Sequence, residues 1–258
     1  MNNILIKVEN LVKTFGGLVA LNDCSLEIKD KAITGIIGPN GSGKTTLFNV
    51  ITGNLKPDTG KVFYNGVEIT NEESHDLFHL GVLRTFQIAH EFSNMTVIEN
   101  LMVVPGNQKG EKLLYSLMNS QKIKKEDELI KDKAMEVLKF LKIEHLKNER
   151  AGNLSGGQKK LLELARTMMV DAKIVFLDEV GAGVNKTLLR DISDSILKLN
   201  QDKGYTFCMI EHDFNFISKL CDPVIVLAEG SVLFKGSADE VKSNEQVIES
   251  YLGKGLKK

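Results

Sequence analysis

The feature that most restricts the fold of this chain is the glycine-rich segment Gly38-Pro39-Asn40-Gly41-Ser42-Gly43-Lys44-Thr45. It fits the pattern GxxxxGK[ST], in which backbone N–H groups surround an anion such as a phosphate. An apolar run at 32–37 precedes the segment, and a helical pattern at 45–52 follows it. We therefore expect a buried strand, a tight loop and a helix in that order, as in α/β folds with a mostly parallel sheet.

The side chains of this loop fit the chemistry of a nucleoside triphosphate. Glycine lets the backbone take positive φ and approach the phosphates without a Cβ in the way. We expect Lys44 to place its charge on the β and γ oxygens, and the Thr45 hydroxyl to reach Mg²⁺. The other predicted nucleotide contacts in the loop are Gly38, Asn40, Gly41, Ser42, Gly43 and Thr46.

A second apolar run, at 174–177, ends in the carboxylate pair Asp178-Glu179. A carboxylate at the carboxyl end of a parallel strand faces the ligand crevice, so Asp178 is a candidate to hold Mg²⁺ directly or through water. Glu179 lies one residue further on and is the candidate to orient and deprotonate the attacking water. Such a pair alone is typical of a solvated turn; the apolar run and the phosphate loop upstream favour the catalytic role.

A second segment has the composition of a helix start that faces an anion: Leu154-Ser155-Gly156-Gly157-Gln158. We expect Ser155 to cap a helix over 156–170, which leaves the N–H groups of Gly156 and Gly157 for an anion. A bare cap needs Ser155 alone, and each glycine costs about 1 kcal/mol in a helix relative to alanine. A second phosphate contact accounts for both glycines, and we count Gln158 with them.

The phosphate loop, the Asp178-Glu179 pair, the Ser155 segment and His212 together resemble the ATP-binding subunit of an ABC transporter, over nearly the whole chain. The resemblance implies ATP and Mg²⁺ as ligands, and ATP hydrolysis coupled to transmembrane transport. It also implies that the Ser155 segment faces the γ-phosphate held by another subunit. Two chains in head-to-tail pairing would then bury two ATP molecules between them.

Three single residues take their roles from this resemblance. Gln87, in the RTFQ sequence at 84–87, matches the glutamine that reaches Mg²⁺ and water and senses the membrane partner. His212, after the apolar run at 206–210, matches the histidine that contacts the γ-phosphate. Phe15 matches the aromatic residue that stacks on adenine, for which a flat π-face is enough. Taken alone, the three residues are also typical of a surface glutamine, a structural histidine and a core phenylalanine.

The fold class implied is α/β: a P-loop NTPase core with a mostly parallel sheet, an antiparallel β subdomain and a helical subdomain. We expect a single ABC ATP-binding domain over 1–258, with a core lobe at about 1–87 and 171–258 and a helical lobe at about 88–170. The sequence patterns predict strands at 18–28, 61–64, 67–69, 174–177, 205–210, 224–228 and 231–235. They predict helices at 45–52, 156–170, 186–200 and 246–252.

Composition narrows the class of protein further. With 258 residues, of which 42% are hydrophobic and 26% charged, the chain is typical of a globular domain. A net charge of −1 gives no indication of nucleic acid as the principal partner. Cys24, Cys208 and Cys221 lack metal-type spacing and predict buried thiols in a reducing compartment. Because no apolar stretch reaches the ~18 residues that span a bilayer, we expect a cytoplasmic protein held at the inner membrane face by another polypeptide.

Four segments resemble the ATPases of branched-chain (hydrophobic) amino-acid importers: 84–87, 94–101, 182–185 and 247–253. The long segment after Leu101 is similar to the larger of that system's two ATPases. The resemblance implies transmembrane permease subunits and a second, homologous or identical ATPase as direct partners, and a substrate-binding protein as an indirect one. The ATPases of urea importers and of lipopolysaccharide export are similar too, and an ATPase subunit does not itself touch the cargo.

Two residues depart from the family pattern. Val180 stands where proline generally follows the catalytic glutamate, and Lys186 stands where proline commonly follows Asn185. Proline fixes φ, so its absence at both positions frees the backbone of the loop that connects the two ATP sites. We therefore expect hydrolysis or coupling slower than is usual for the family.

Two other classes of protein carry related motifs. Soluble ABC ATPases that act on DNA or ribosomes generally have two nucleotide domains in one chain, or a long coiled coil between the motifs. Here about a hundred residues separate Thr45 from Leu154, without sustained heptads. A nucleotide-binding regulator that does not hydrolyse is the third class, and the presence of Glu179 counts against it.

Overall fold

The computed structural model describes residues 3–85, 91–106, 108 and 120–252. Its strands are β1 Ile4–Phe15, β2 Leu18–Lys29, β3 Ile33–Ile37, β4 Thr59–Tyr64, β5 Val67–Glu68, β6 Val82–Arg84, β7 Ile174–Asp178, β8 Thr206–Ile210, β9 Val224–Ala228 and β10 Ser231–Gly236. The α-helices of the described residues are α1 Lys44–Ile51, α2 Ser74–His79, α3 Val97–Met102, α4 Ser120–Phe140, α5 Gly156–Met168, α6 Lys186–Lys203, α7 Phe214–Leu220, α8 Ala238–Ser243 and α9 Glu245–Leu252.

The chain forms two compact units, which we describe separately. The first takes in the described parts of 1–87, 173–182 and 197–258. The second takes in the described parts of 88–172 and 183–196. Segment 183–196, which contains the first part of α6, thus packs with the second unit although it follows strand β7 in sequence.

The first unit is built on a six-stranded sheet with the order β10-β9-β3-β8-β7-β6. All neighbours are parallel except β10, which runs antiparallel to β9. Every residue of β3, β7 and β8 is buried, as expected for apolar strands covered on both faces. The carboxyl ends of these parallel strands therefore lie at one edge of the sheet, where α/β proteins bind ligands.

A four-stranded antiparallel sheet, in the order β2-β1-β4-β5, completes the strands of the first unit. The sequence analysis did not predict β1. In this strand Ile6 and Val8 are buried, while Lys7 between them is exposed. Asn10 has φ 50°, and the pairing of β1 with β2 shifts register at this point. This irregularity and the charged residues interrupt the alternation that marks a strand in sequence.

The second unit is helical in its described residues, as the sequence predicted for the middle of the chain. One face of α4 is buried through Ala134, Val137 and Leu138, at the spacing of three and four residues that brings side chains to one helix face. Helix α3 begins with a capping box in which Thr96 and Glu99 satisfy each other's backbone N–H groups. Among the described residues of this unit, Glu144–Leu146 and Ala151–Asn153 form single-turn 3₁₀ helices.

The observed sheets and helices confirm the predicted α/β fold with its antiparallel and helical parts. Elements α2, β6, α7 and α8, each of three to seven residues, were not predicted. Segments of this length are too short for a periodic pattern to show. The three cysteines are buried and free, as predicted. Over the ranges that the structure describes, no helix combines the length and apolarity needed to cross a membrane.

Candidate functional site

The predicted phosphate loop connects the end of β3 to the start of α1, in the order that the sequence indicated. Gly43 precedes the helix with φ 96°, and no side chain caps the helix start. The first turn of α1 contains no acidic residue. The backbone N–H groups of this turn, with the positive end of the helix dipole, are therefore free of an internal anion and suit a phosphate.

Two glycines of the loop are required by its close packing. Gly38 has φ 154°, and a Cβ there would lie 2.1 Å from the carbonyl oxygen of Leu227. At Gly43 a Cβ would lie 2.4 Å from the carbonyl oxygen of Ala20. Both contacts are with backbone atoms, which cannot move aside, so any other residue would displace the loop from the sheet edge.

Lys44 is 6% exposed, and its Nζ donates to the carbonyl oxygens of Gly38 and Pro39 at 2.9 and 3.0 Å. Burial lowers the pKa of Lys44, while the carboxylates of Glu179 and Asp178 oppose that shift. The ammonium group thus interacts electrostatically with Glu179, the predicted base, and with Asp178, the predicted metal ligand. Loop carbonyls hold it in a position from which it can exchange partners for phosphate oxygens.

The remaining polar side chains of the loop and the first turn of α1 differ in their exposure to solvent. Ser42 is buried, whereas Asn40 and Thr45 are exposed and Thr46 is half-buried. The Thr45 hydroxyl is therefore accessible at the first turn of α1. This placement agrees with its predicted role as a metal ligand, which remains a prediction.

Asp178 ends β7 and is 3% exposed, and its Oδ2 accepts a hydrogen bond from Nη2 of Arg84 at 2.8 Å. Hard oxygen donors of this kind suit Mg²⁺, which takes one or two protein ligands and completes its shell with water and phosphate oxygens. In the described part of the chain, no three His, Cys, Asp or Glu side chains form a group that could hold a metal alone. Asp178 and Thr45 therefore fit a magnesium ion that arrives with a nucleotide.

Glu179 has φ 50°, a left-handed conformation that is uncommon for a residue with a side chain. Its N–H donates to the carbonyl oxygen of Ile210 at 3.0 Å, which holds the strained backbone in place. Its Oε1 lies 3.0 Å from Nε2 of His212. Because Asp178 pairs with Ile210 across β7 and β8, the residues that follow these strands meet at one edge. The structure thus brings together the two residues predicted as base and γ-phosphate contact.

The loop after Glu179 is held without the proline that the family pattern contains. Val180 is 5% exposed, and the next N–H, that of Gly181, donates to Oε1 of Glu211 at 2.8 Å. Burial raises the pKa of Glu211; the hydrogen bond from Gly181 opposes this shift, and the charge of Glu179 adds to it. A buried side chain and an anchored amide thus restrict the backbone around Val180 by tertiary contacts.

The second missing proline also has a local substitute. Lys186 is the first residue of α6, the position at which proline is favoured in helices. The side chain of the preceding residue, Asn185, accepts a hydrogen bond from the N–H of Leu188 at 2.9 Å. Such a bond caps a helix start in place of a residue with fixed φ.

Ser155 caps α5, as predicted, and does so within a capping box. Its Oγ accepts from the N–H of Gln158 at 3.4 Å, and Oε1 of Gln158 accepts from the N–H of Ser155 at 2.9 Å. These two bonds leave the N–H groups of Gly156 and Gly157 outside the box. The side chain of Gln158, predicted to contact nucleotide, holds the helix start in this structure.

The two glycines of α5 differ in their surroundings. A Cβ on Gly156 would have no atom within 4 Å, whereas one on Gly157 would lie 2.2 Å from Cδ2 of Leu188. Close packing against Leu188 therefore explains the glycine at position 157 without any phosphate. It does not explain Gly156, so that residue carries the structural argument for an anion contact.

Phe15 is 47% exposed at the end of β1, so it is not a core residue. Nζ of Lys13 lies 5.8 Å from the centroid of its ring. An exposed ring on a strand end is available to a flat ligand. The stacking of adenine on Phe15 stays a prediction.

Gln87 belongs to residues 86–90, outside the described residues. Arg84 and Glu211 contact the site and were not singled out from the sequence. The only signal for Glu211 was a charged residue directly after an apolar strand. Tyr251, on α9, was also missed: burial raises its pKa, and hydrogen bonding with the backbone of Gly38 opposes that shift. Helix α9 thus lies near the phosphate loop, from which it is distant in sequence.

Comparison with known proteins agrees with this geometry. The family model for ABC transporters matches residues 21–182, and a model for branched-chain amino acid ATP-binding cassette transporters matches residues 231–257. The first range begins in β2 and ends just after the Asp178-Glu179 pair. It therefore contains the phosphate loop and the Ser155 segment.

Relatives and solved structures extend the match over nearly the whole chain. A probable branched-chain amino acid transport ATP-binding protein of Archaeoglobus fulgidus is 43% identical over 249 residues, covering 96% of this chain and 95% of the relative. The ADP conformation of an ABC transporter cassette superposes with a TM-score of 0.83 at 41% identity, covering 97% of this chain and 99% of that one. A dimeric cassette in a post-hydrolysis state with ADP and phosphate has a TM-score of 0.74 at 25% identity, covering 91% and 99%.

The family model spans more than half of the chain, and the relatives span nearly all of it. The matched range 21–182 includes the loop of Lys44 and the carboxylates of Asp178 and Glu179. The chain therefore belongs to the ABC transporter family, as an ATP-binding domain that hydrolyses ATP.

Proposed function

We propose that this protein is the ATPase subunit of an importer of branched-chain or other hydrophobic amino acids, driven by ATP-dependent closure of an ATPase dimer. The observation that carries the substrate class is the match of residues 231–257 to the branched-chain transporter model. Phosphate loops and carboxylates after a strand occur throughout the ABC family, whereas the model matched at 231–257 is described as one of branched-chain amino acid transporters.

Nucleotide binding uses the exposed ring of Phe15 and the loop before α1. The ring provides a surface for the adenine base, and the loop N–H groups and Lys44 hold the β and γ phosphates. In the structure Lys44 donates to two loop carbonyls. Binding exchanges those neutral acceptors for charged phosphate oxygens, which form stronger hydrogen bonds with an ammonium group.

The predicted metal ligands are Thr45, Asp178 and Gln87, of which the first two lie in the described residues. A bound Mg²⁺ would neutralise part of the charge that develops on the phosphates. The role of this chain is to present Asp178 at the end of β7, buried and fixed by Arg84. Presenting the ligand in one orientation avoids reorganisation during the reaction.

Glu179 is the proposed general base for the attacking water. Its carboxylate accepts the proton as the water oxygen attacks the γ-phosphorus and the bond to the β-phosphate oxygen breaks. Contact with His212 at 3.0 Å fixes the direction of the carboxylate. His212 also lies at the sheet edge, where the imidazole can contact the γ-phosphate.

The third part of the proposed site comes from a second ATPase subunit, homologous or identical, paired head to tail. The helix start at Ser155 offers N–H groups of Gly156 and Gly157 but has no cation of its own in the capping box. It suits a γ-phosphate that is already held by Lys44 of the partner chain. ADP lacks that phosphate, so hydrolysis removes the contact and reopens the pair. The dimeric cassette among the solved relatives supports this arrangement.

Transport requires partners that this chain does not contain. Permease subunits in the membrane would convert dimer closure into alternating access and would hold the ATPase at the inner face of the membrane. A substrate-binding protein would deliver the amino acid to the permease, and the ATPase would meet it only through that permease. Nucleic acid is not a partner in the proposed function.

The test is to purify the protein with the permease subunits that accompany it from native membranes and to reconstitute the complex in proteoliposomes. We expect ATP-dependent uptake of labelled leucine, isoleucine or valine, and no uptake with the Glu179→Gln variant. Failure of any permease to co-purify would contradict the transporter function. Uptake or ATPase stimulation by urea instead of leucine would retain the ATPase and overturn the substrate class.

A further inference from the structure

Arg84 lies at the end of β6, beside the strand that carries Asp178. Its side chain is 7% exposed and that of Asp178 is 4% exposed, and Nη2 of Arg84 lies 2.8 Å from Oδ2 of Asp178. A buried charge needs a partner, because removing it from water costs several kcal/mol. Arg84 provides that partner to the carboxylate on which the proposed magnesium site depends.

The same guanidinium also contacts the helix that follows the phosphate loop. Nη1 of Arg84 donates to Oδ1 of Asn49, on α1. The guanidinium carbon lies 5.9 Å from the ring centroid of Phe48, on the same helix. Phe48 in turn packs edge-to-face on Phe176 of β7, with centroids 5.0 Å apart. Arg84 is thus held by both α1 and β7.

These two elements carry the two described metal-ligand candidates. Thr45 lies on α1, four residues before Asn49, and Asp178 ends β7. Planar Arg places two donors in a fixed relative geometry, which Lys cannot do. One Arg84 side chain therefore sets the position of α1 relative to the end of β7, and with it the position of Thr45 relative to Asp178.

We propose that Arg84 is a positioning residue of the metal end of the nucleotide site, holding Oδ2 of Asp178 so that Oδ1 is presented to the hydrated cation that arrives with ATP. The positive charge of Arg84 offsets the negative charge of Asp178, so the carboxylate can lie buried at the sheet edge before any cation binds. The other arm of Arg84, which donates to Asn49, fixes the distance between the Asp178 carboxylate and the Thr45 hydroxyl. This inference rests on the proposed use of Mg²⁺ with ATP.

The test measures metal binding directly, with Mn²⁺ as the probe and its electron paramagnetic resonance signal as the readout. In the complex of the parent protein with ATP, titration gives the Mn²⁺ affinity. We expect Arg84→Gln to weaken that affinity by about 10- to 100-fold, as is typical when the partner of a metal ligand is removed. The affinity for ATP measured without divalent cation should stay within about twofold, since the Arg84 hydrogen bonds to Asp178 and Asn49 join residues outside the loop 38–45.

Three further variants separate positioning from general damage to the fold. Arg84→Lys keeps the charge but loses the fixed fork, so its Mn²⁺ affinity should lie between those of parent and Arg84→Gln. Asn49→Ala removes one arm without touching Asp178 and should weaken Mn²⁺ in the same direction by a smaller factor. Arg190→Gln, at an exposed arginine of α6, is the matched control and should leave both affinities unchanged.

Circular dichroism and thermal melting establish that each variant is folded. If Arg84→Gln does not fold, Arg84→Lys and Asn49→Ala still decide the question. Parental Mn²⁺ affinity in the folded variants would overturn the inference. Equal losses of metal-free ATP affinity and Mn²⁺ affinity would also overturn it, since they indicate a general structural role. Absence of ATP binding by the parent protein would instead refute the nucleotide site itself.

Discussion

The two helix starts that the sequence marks as phosphate sites are built differently. Helix α1 begins after Gly43 without a side-chain cap, and its first residue is the buried cation Lys44. Helix α5 begins after Ser155, which with Gln158 forms a complete capping box. The first start leaves its N–H groups to a ligand, whereas the second satisfies part of its own N–H groups internally.

This difference indicates that the two helix starts have different roles in phosphate binding. The start of α1 has no side-chain cap, and its first residue is a cation whose pKa is affected by the nearby carboxylates of Glu179 and Asp178, as suits the primary binding of a triphosphate. The start of α5 is rigid without a ligand and offers two N–H groups, from Gly156 and Gly157, without charge in its cap. It can recognise a phosphate that is already bound, which is the property expected of a surface that closes on another subunit's ATP.

The largest effect should come from Glu179→Gln, which disables chemistry at the first site while leaving both phosphate surfaces intact. An amide can hold the attacking water but cannot accept its proton, so hydrolysis should fall by about 10²- to 10⁴-fold. ATP affinity should stay at the parental value. Single-turnover hydrolysis and calorimetric titration measure the two quantities, and a parental rate would show that another group is the base.

Gly156→Asp should break the second site without affecting the first. The new carboxylate would face a γ-phosphate, and two like charges about 4 Å apart repel by about 4 kcal/mol near a protein surface. In the Glu179→Gln background, sedimentation should show ATP-dependent dimers that this substitution abolishes. The ATP affinity of the single chain should not change.

Two features make position 156 the right place for that test. A side chain there meets no atom within 4 Å, and aspartate in the first turn stabilises a helix, so folding should not suffer. The same change at Gly157 would collide with Leu188. Gly156→Asn is the uncharged control and should retain dimers. Dimers that persist with Gly156→Asp, or that form without ATP, would refute the shared site.

Lys44→Ala should weaken ATP binding at the first helix start and leave the second helix unaffected. A hydrogen bond to a charged group contributes about 1.5 to 3 kcal/mol, so affinity should fall by about 10- to 150-fold. Calorimetry on the purified chain gives the affinity. Because Lys44 reaches only its own loop in the absence of ligand, unchanged nucleotide binding would disprove its assignment.

Phe15→Ala tests whether the first site extends to an adenine surface. Loss of stacking should cost about 1 to 3 kcal/mol of binding free energy. GTP and ATP should be affected alike, because stacking depends on the π-face of the base. The ring is exposed, so thermal stability should change little. Parental affinity for both nucleotides would place the base elsewhere.

The smallest effect should come from Ser155→Ala, which removes the cap that distinguishes the second helix start. Loss of an N-cap costs about 1 kcal/mol of stability. Thermal melting should show this loss, while ATP binding by the single chain stays at the parental value. Ser155→Asp retains the cap and should restore stability. If Ser155→Ala melts at the parental temperature, the capping box does not stabilise α5.

Much of the fold could be predicted because its strongest signals are local. The loop of Lys44, the cap of Ser155 and the strand that ends in Asp178 each depend on residues within a few positions of one another. Strand β1 was missed because its stability comes from pairing with β2 and β4, with a break in register at Asn10. Short elements such as β6 are likewise stabilised by neighbours distant in sequence.

The candidate site shows the same contrast between local signals and contacts of residues distant in sequence. The sequence indicated Asp178, Glu179 and His212 separately, and the strand order brought them to one edge. It gave no sign of Glu211 as the anchor of the loop at Val180, because that hydrogen bond spans 30 positions. It also assigned Gly157 to a phosphate contact alone, whereas close packing on the Leu188 side chain also favours glycine there.

The sequence by itself indicated the local features of the site: a glycine-rich loop before a helix, a carboxylate pair after a buried strand and a second helix start with a serine cap and two glycines. Each of these depends on backbone φ, helix capping and residue type over a few positions, which are short-range properties. Tertiary structure alone decided that Arg84 pairs with Asp178 across 94 positions, and that Leu188 of α6 packs close to Gly157 of α5. Such contacts depend on strand order and on the close approach of distant segments, which no local pattern of residues encodes.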